Sequence, residues 1–489
     1  MAFQTLAFLA FLAVTVLLCR ILGKGGLPAG RLVLLLCCLF FCAQAGWQGF
    51  AVLLLGAGVS FLAAPRTVPG KAGGKALFLC AISYHILVLL GFKYLGFLTG
   101  GAWSLPFVPL GLSFFTFQQL WYLKECRAGE TAPAGRLTDY LLYSFFFPSL
   151  TSGPILEPNG FLPQLSAPAF LRPDDRDSAA GLYALGCGLC KKMLLADPLG
   201  VVVNNGWERI GDLSAPAAWA VILGYTLQLY FDFSSYCDMA AGCARLLGIR
   251  LPVNFDSPYR ALSVTEFWKR WHITLTTFLR QCVYFPLGGS RKGRSRTYLN
   301  ILLVFLLSGF WHGAGWTFLL WGALHGLAQV AERLWGGKRD RLPAVLRWAL
   351  TFAFVNLAWV FFRAPDIPSA LALLRQAAAG GFALPRDWLV QGLYGKESAA
   401  LGILLPALKP WLNTAKFCAL FLAAAVAALL PGNTIRRMDA FRPTAWRAAL
   451  LWPAAAHRWS VLPSAPIVRT RSAAWPPSAW APPCCWFPI

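Results

Sequence analysis

A chain of 489 residues that is 57% hydrophobic and 13% charged carries about half the charge of a soluble domain, which is roughly 25% charged. With a mean hydropathy of +0.57, that excludes a water-soluble globular protein and leaves an integral membrane protein. The formal net charge of +23 does not make it a nucleic-acid binder. Its basic residues fall in short clusters between apolar runs: Arg20 and Lys24, Arg66 with Lys71 and Lys75, Lys191 and Lys192, Arg291 to Arg296, and Lys338 to Arg341. That is the bias of cytoplasmic loops, not of a basic binding face.

A helix needs about 20 apolar residues to cross a hydrocarbon core of about 30 Å. Runs of that length recur along the chain, roughly ten to twelve of them, so an all-α, polytopic membrane protein is expected. The first, residues 2–26, has no basic leader and no small-residue cleavage site; it reads as a retained span, with the mature chain starting near Met1. Residues 32–64 would need one helix of about 50 Å, and AQAGWQG interrupts them at residues 43–49. Two short spans are therefore expected, which returns the chain to the basic side at Arg66 and puts the N-terminus outside. His85, in SYHILVLLGFKYLGF, reads as structural.

Of the 14 cysteines, Cys19, Cys37, Cys38, Cys42, Cys80, Cys237, Cys243 and Cys418 lie in or beside apolar runs, where they act as small hydrophobes. Cys187 and Cys190 have C-x-x-C spacing without a second ligand pair, so no metal is assigned. Polar connectors at 166–178 and 334–345 read as loops outside the membrane.

The middle third carries the chemistry. An ionisable residue at membrane depth costs about 2.5 to 3.5 kcal/mol on insertion scales and needs a partner or a task. Asp232, Asp238 and Arg245 fall in or beside one span. Beyond a proline-containing loop, Trp268, Trp271, Leu275 and Leu279 recur at helical spacing on one face, while Lys269, Arg270 and Arg280 can reach an interface. The expectation is one amphipathic interfacial helix with His272 beside its apolar face. GGSRKGRS at 288–295 nearly spells a phosphate loop, with Arg294 in the lysine position. No strand precedes it, so Arg291, Lys292 and Arg294 read as a cytoplasmic basic loop, able at most to attract an anionic donor such as coenzyme A.

SGFWHGAGWTFLLWGALHG, residues 308–326, sets His312 among Gly309, Gly313 and Gly315, which would let a backbone or a thin substrate approach closely. The competing reading is a core histidine bonded to a carbonyl. His325 follows 13 residues on, about 20 Å away along a continuous helix, so the two can share a proton only if the glycines break that helix. No internal repeat is apparent, and residues 1–452 read as one membrane domain. From Pro453 the chain is irregular, rich in proline and tryptophan and includes His457; prolines there forbid an ordinary span. A shifted reading frame would account for residues 453–489.

Taken together, PLGLSFFTFQQLWYL (109–123), YSFFFPSLTSGPI (143–155), LGCGLCKKMLLAD (185–197), LQLYFDFSSYCDMAAGCARLLGIRLPVNFDSPYRA (227–261), EFWKRWHITLTTFLR (266–280), YFPLGGSRKG (284–293) and GFWHGAGWTFLLWGALHG (309–326) resemble the membrane-bound O-acyltransferase family. The likeness is to its bacterial branch of alginate O-acetyltransferases and teichoic acid D-alanyltransferases, and it covers most of residues 80–335. It implies a ring of tilted helices around a central catalytic channel. The catalytic histidine would be His312, beside Trp311 in the W-H-G motif. The second would be His272, and His325, Asp232 and Asp238 would be accessory. The chain departs from the branch at Gln281, where an aspartate is usual, and at Leu156 and Glu157, where an arginine usually follows G-P-I.

The reaction implied is transfer of an acyl group, acetyl above all, to hydroxyls of an extracytoplasmic polysaccharide. The donor would be a cytoplasmic thioester, acetyl-CoA or an acyl-carrier protein, with no bound cofactor. The implied setting is the bacterial inner membrane, with an extracytoplasmic acyl-transfer partner protein, the lipid bilayer around it and no nucleic acid. His312 would act as general base, typically a 10² to 10⁴-fold contribution. His272 would orient the acceptor or polarise the thioester carbonyl. A transporter using the intramembrane acids, or a non-catalytic scaffold for polysaccharide export, is the alternative.

Overall fold

The computed structural model describes residues 1–23, 26–383, 387–394, 412–430 and 432–441. The irregular segment expected from Pro453, its His457 and the 452/453 boundary lie outside the described residues. All regular structure among the described residues is helical. In chain order the helices are α1 (Leu6–Gly23), α2 (Leu27–Ala43), α3 (Trp47–Thr67), α4 (Gly74–Leu98), α5 (Leu112–Ala128), α6 (Leu137–Phe145), α7 (Asp175–Glu208) and α8 (Ala215–Leu246). They continue as α9 (Val264–Arg270), α10 (Ile273–Leu279), α11 (Arg294–His312), α12 (Trp316–Trp335), α13 (Ala344–Arg363), α14 (Ile367–Ala379), α15 (Leu412–Leu429) and α16 (Thr434–Asp439).

Six described helices, α1, α3, α4, α7, α13 and α15, are long and apolar enough to cross a membrane. They present Leu17, Ile21, Leu55, Leu62, Leu79, Leu87, Leu350 and Leu422 outward, the inverse of a soluble surface and the direct result of a hydrocarbon surround. The ten to twelve spans expected are not reached on apolar length alone. The reason is that α8, α11 and α12 have the length but spend residues on inward polar groups, and α2 has only 17 residues. The break expected within residues 32–64 is present: α2 ends at Ala43, and Gly46 at φ +125° starts α3 on a new axis.

At the centre stands α8, 32 residues long and so about 48 Å from end to end. It is buried along most of its length, packed against α7, α13, α14 and α15. Its charges are all answered: Asp232 by Lys192 at 2.6 Å, Asp238 by Lys191 at 2.6 Å, and Arg245 by Asp177 at 3.7 Å and by Asp439 of α16. Removing one partner of such a buried pair typically costs about 3 to 5 kcal/mol. This corrects the reading of Lys191 and Lys192 as a cytoplasmic loop cluster. Both lie in a π-helical turn, Lys191–Ala196, inside α7, and both point into the protein.

The interfacial helix expected around His272 is two short helices. Ser263 opens α9, accepting from the Glu266 amide at 2.9 Å, while Glu266 accepts from the Leu262 amide at 2.8 Å, a near capping box. α9 then stops at Arg270, and His272 takes a left-handed conformation, φ +43°, before α10 begins. The face Trp268, Trp271, Leu275 and Leu279 is buried, not interfacial.

α11 and α12 form a tight hairpin. A Cβ on Gly309 would meet the Phe318 carbonyl, one on Gly322 the Phe305 carbonyl, and one on Gly313 the Phe318 ring. The glycines around His312 therefore serve helix-to-helix approach within the hairpin. Gly322→Ala should force the pair apart and cost about 1 to 3 kcal/mol, read as a lower thermal unfolding midpoint of the detergent-purified protein. An unchanged midpoint would refute the contact.

Candidate active site

His312 is the last residue of α11. Its half-buried ring is walled by Trp311, Trp321 and Phe362, with ring centroids at 4.8, 5.2 and 5.1 Å. The histidine also lines a cavity of about 810 Å³, within the range of pockets that hold a small ligand. His272, Trp311, Asp232, Lys192, Lys93 and Arg363 line it too. The two candidate histidines are thus brought to one space, and Trp311 stands beside both, its ring 6.4 Å from that of His272.

A helix that ends inside a protein leaves its last carbonyls without donors. Here Lys93 supplies them. Its Nζ donates to the Trp311 carbonyl, to the His312 carbonyl at 3.3 Å and to Ser113 Oγ at 3.2 Å, and Tyr94 Oη donates to the Trp311 carbonyl at 2.9 Å. A cation at a helix C-terminus is also favoured by the helix dipole. Both residues come from a π-helical turn, Leu90–Tyr94, in α4.

His272 is fixed by Asn254. Asn254 Oδ1 accepts from the Thr274 amide at 3.2 Å and from Thr274 Oγ1 at 2.9 Å, and it lies 3.2 Å from His272 Nδ1. The Asn254 carbonyl accepts from the Ile273 amide at 3.0 Å. An oxygen already accepting from an amide requires a donor at Nδ1, so the neutral ring carries its proton there and its lone pair at Nε2. That Nε2 has no hydrogen-bond partner among the described residues. His272 thus lines the cavity, while this acceptor nitrogen is itself buried in the wall; its lone pair suits orienting a hydroxyl. Polarising a carbonyl would need a proton on Nε2.

Other candidates stand elsewhere. His325 does not line the cavity. It is fully buried, takes a hydrogen bond from Trp268 Nε1 at 3.1 Å, and faces Trp321 at 5.0 Å and Phe354 at 5.1 Å. The hairpin, not a continuous helix, separates it from His312, and both rings abut Trp321. Asp232 is on the cavity wall, whereas Asp238 is held by Lys191 and by Thr434 Oγ1 at 2.7 Å away from it. Arg291, Lys292 and Arg294 are exposed, at the end of α11 opposite His312 and about 27 Å from it. His85 pairs with Ser60 Oγ at 2.7 Å off the cavity. No group of three or more His, Cys, Asp or Glu side chains gathers as metal ligands among the described residues.

Sequence reasoning missed Lys93, Asn254 and Arg363. A lone lysine in the apolar run LLGFKYLGF was a usable signal, because membrane depth makes such a residue costly. Asn254, in a loop, gave none.

The chain matches the model of the membrane-bound O-acyltransferase family over residues 111–364. It is 42% identical over 296 residues to the peptidoglycan O-acetyltransferase of Helicobacter pylori, covering 55% of this chain and 56% of that protein. It is 35% identical over 344 residues to the probable alginate O-acetylase AlgI of Azotobacter vinelandii, covering 68% and 66%. It is 26% identical over 272 residues to the teichoic acid D-alanyltransferase of Bacillus subtilis, covering 52% and 68%. The aligned part of the chain thus spans 56% and 66% of the length of the first two.

Lys93→Met should leave the carbonyls at the end of α11 short of donors, at a cost of about 1 to 3 kcal/mol. The check is the unfolding midpoint in detergent, which should fall; a midpoint equal to wild type would show that the clamp carries no weight.

Proposed function

The chain belongs to the membrane-bound O-acyltransferase family, and from that premise we propose that it transfers an acetyl group from a thioester at the cytoplasmic face to a hydroxyl of an extracytoplasmic polysaccharide or cell-wall polymer. The observation that carries the reading is the placement of His312 and His272 on the wall of one cavity. The relatives' names supply the acceptor class, since they speak of peptidoglycan, alginate and teichoic acid.

In the proposed reaction His312 takes the proton as the acceptor oxygen attacks the thioester carbonyl carbon. The carbon–sulfur bond breaks, and the leaving thiolate takes that proton from His312. His272, whose lone pair is at Nε2, accepts a hydrogen bond from a neighbouring hydroxyl of the acceptor and so aims the attacking one, whose proton goes to His312. Aromatic walls keep the dielectric low and bulk water out, which strengthens these interactions and disfavours hydrolysis of the thioester. The thioester is a co-substrate, acetyl-CoA or an acyl-carrier protein, whose phosphate groups the exposed loop bearing Arg291, Lys292 and Arg294 would attract. The basic loops then face the cytoplasm, the N-terminus faces outward, and the membrane is the bacterial inner membrane. An extracytoplasmic partner protein completes the delivery to polymer.

His312→Ala should abolish acetyl transfer in proteoliposomes while the variant remains folded and inserted; retained transfer would refute the assignment. His272→Ala should lower the rate by about 10²-fold, and a wild-type rate would reduce His272 to a packing role.

A further inference from the structure

The two histidines leave one charge of the proposed reaction unattended. As an alcohol oxygen bonds to the thioester carbon, the carbonyl π pair moves onto the carbonyl oxygen, and in acyl transfer a donor fixed at that oxygen is usually the largest single source of rate. His272 is not that donor, because Asn254 fixes its proton at Nδ1 and leaves a lone pair at Nε2. His312 holds the proton it has taken for the leaving sulfur.

The wall beside the end of α11 carries a side chain with a donor to spare. Gly111 takes φ +71°, and a Cβ there would meet the Leu150 carbonyl at 2.5 Å, so the chain enters α5 through a turn that a side chain would block. Two residues on stands Ser113, half-buried, in the first turn of α5 and on the wall of the cavity that His312 lines. Its oxygen accepts from Lys93 Nζ at 3.2 Å, and its own proton goes to no described residue. Lys93 gives its other two N–H bonds to the Trp311 and His312 carbonyls, so the three donors of the ammonium are committed. One nitrogen therefore joins the Ser113 hydroxyl to the backbone of the residue that takes the proton. A hydroxyl whose oxygen accepts from a cation is polarised and donates more strongly. Lys192, on the same wall, is committed to Asp232 at 2.6 Å and Asp197 at 3.0 Å.

We infer that Ser113 is a catalytic residue whose Oγ–H bonds to the thioester carbonyl oxygen and holds it as it becomes an oxyanion, with Lys93 as a positioning residue acting through it. The inference rests on the acyl-transfer reading and adds the group that polarises the donor, whichever hydroxyl is acylated. The new carbon–oxygen bond pushes the π pair onto the carbonyl oxygen, and Ser113 keeps its own proton throughout. When the carbonyl reforms, the carbon–sulfur bond breaks with its pair on sulfur, and the proton on His312 follows.

The test titrates the full chain in proteoliposomes with two phosphopantetheine analogues, which carry the arm that coenzyme A and carrier proteins share. One ends in a methyl ketone, planar like the thioester; the other ends in a trifluoromethyl ketone, which takes up water and becomes tetrahedral. Wild type should bind the tetrahedral analogue at least about 10-fold more tightly, a difference of about 1.4 kcal/mol. Ser113→Ala should lose that preference while binding the planar analogue as before, and Ser113→Thr, which keeps a hydroxyl, should restore most of it. Lys93→Met should lose part of it, which a purely structural clamp would not touch. In acetyl transfer, Ser113→Ala should lower kcat about 10²-fold with the thioester KM kept. Equal binding of both analogues by wild type, or a wild-type kcat in Ser113→Ala, would overturn the inference and leave acyl transfer standing. Preference lost in Arg363→Gln and kept in Ser113→Ala would overturn it as well, moving the donor to the guanidinium on the same wall. Labelled acetyl found covalently on Ser113 after denaturation would overturn it by making the residue a nucleophile. A tetrahedral preference lost in Ser113→Ala, with no acetyl transfer to any hydroxyl, would sink the acyl-transfer reading and leave the oxyanion site in place.

Discussion

A helix that stops within a membrane protein leaves carbonyls that hydrocarbon cannot satisfy, and the arrangement around His312 follows from how that is solved. α11 ends there as the chain becomes extended from Gly313 to Gly315 and turns back as α12, with the Phe318 ring packed against Gly313. The end is tolerable because Lys93 and Tyr94 reach across from α4 to bond the last carbonyls. Without that clamp the turn would need water or a different path, and the imidazole would have no fixed place on the cavity wall. The glycine pair Gly309 and Gly322 adds the second half of the constraint: by bringing α11 and α12 into backbone contact it fixes the angle at which the terminal residue is presented.

The same economy of polar groups governs the interior. α8 carries two carboxylates and a guanidinium through the middle of the protein, and each is matched by a residue of another helix. These pairs fasten α7 and α16 to the central strut. They also remove the strongest sign of a transporter, since Asp238 is engaged by both Lys191 and Thr434, and Asp232 by Lys192. Beside the fastened pair Lys192 and Asp232, the cavity wall carries two imidazoles, the cations Lys93 and Arg363, and neutral polar groups such as Asn204, Gln228 and Ser113.

Much of this was legible in the sequence, for reasons that can be named. Hydropathy gives an all-helical membrane chain because length and apolarity decide whether a segment enters a bilayer, and AQAGWQG marked the break between α2 and α3 because glycine there takes positive φ. His312 and His272 stood out as imidazoles in apolar surroundings. Less legible was anything set by long-range pairing. A doubled lysine before MLLAD looks like a loop until α8 supplies its aspartates, and the period of Trp268, Trp271 and Leu275 looks like one helix until Asn254, some twenty residues upstream of Thr274, holds a kink at His272. The glycines of the W-H-G region signal close approach by a backbone or a thin substrate, and at Gly309 it is the backbone of the neighbouring helix that approaches.

The unengaged Nε2 of His272 has a consequence for the energetics of turnover. Since its other nitrogen faces Asn254 and this one bonds to no described residue, the two imidazoles form no relay, and on the proposed reaction the hydrogen taken from the outer alcohol stays on His312 until the sulfur collects it. An acyl group then travels outward as a hydrogen ion travels inward, an exchange that carries no net current. Voltage across the bilayer would neither drive such a cycle nor hold it back, and its direction would be set by the thioester alone.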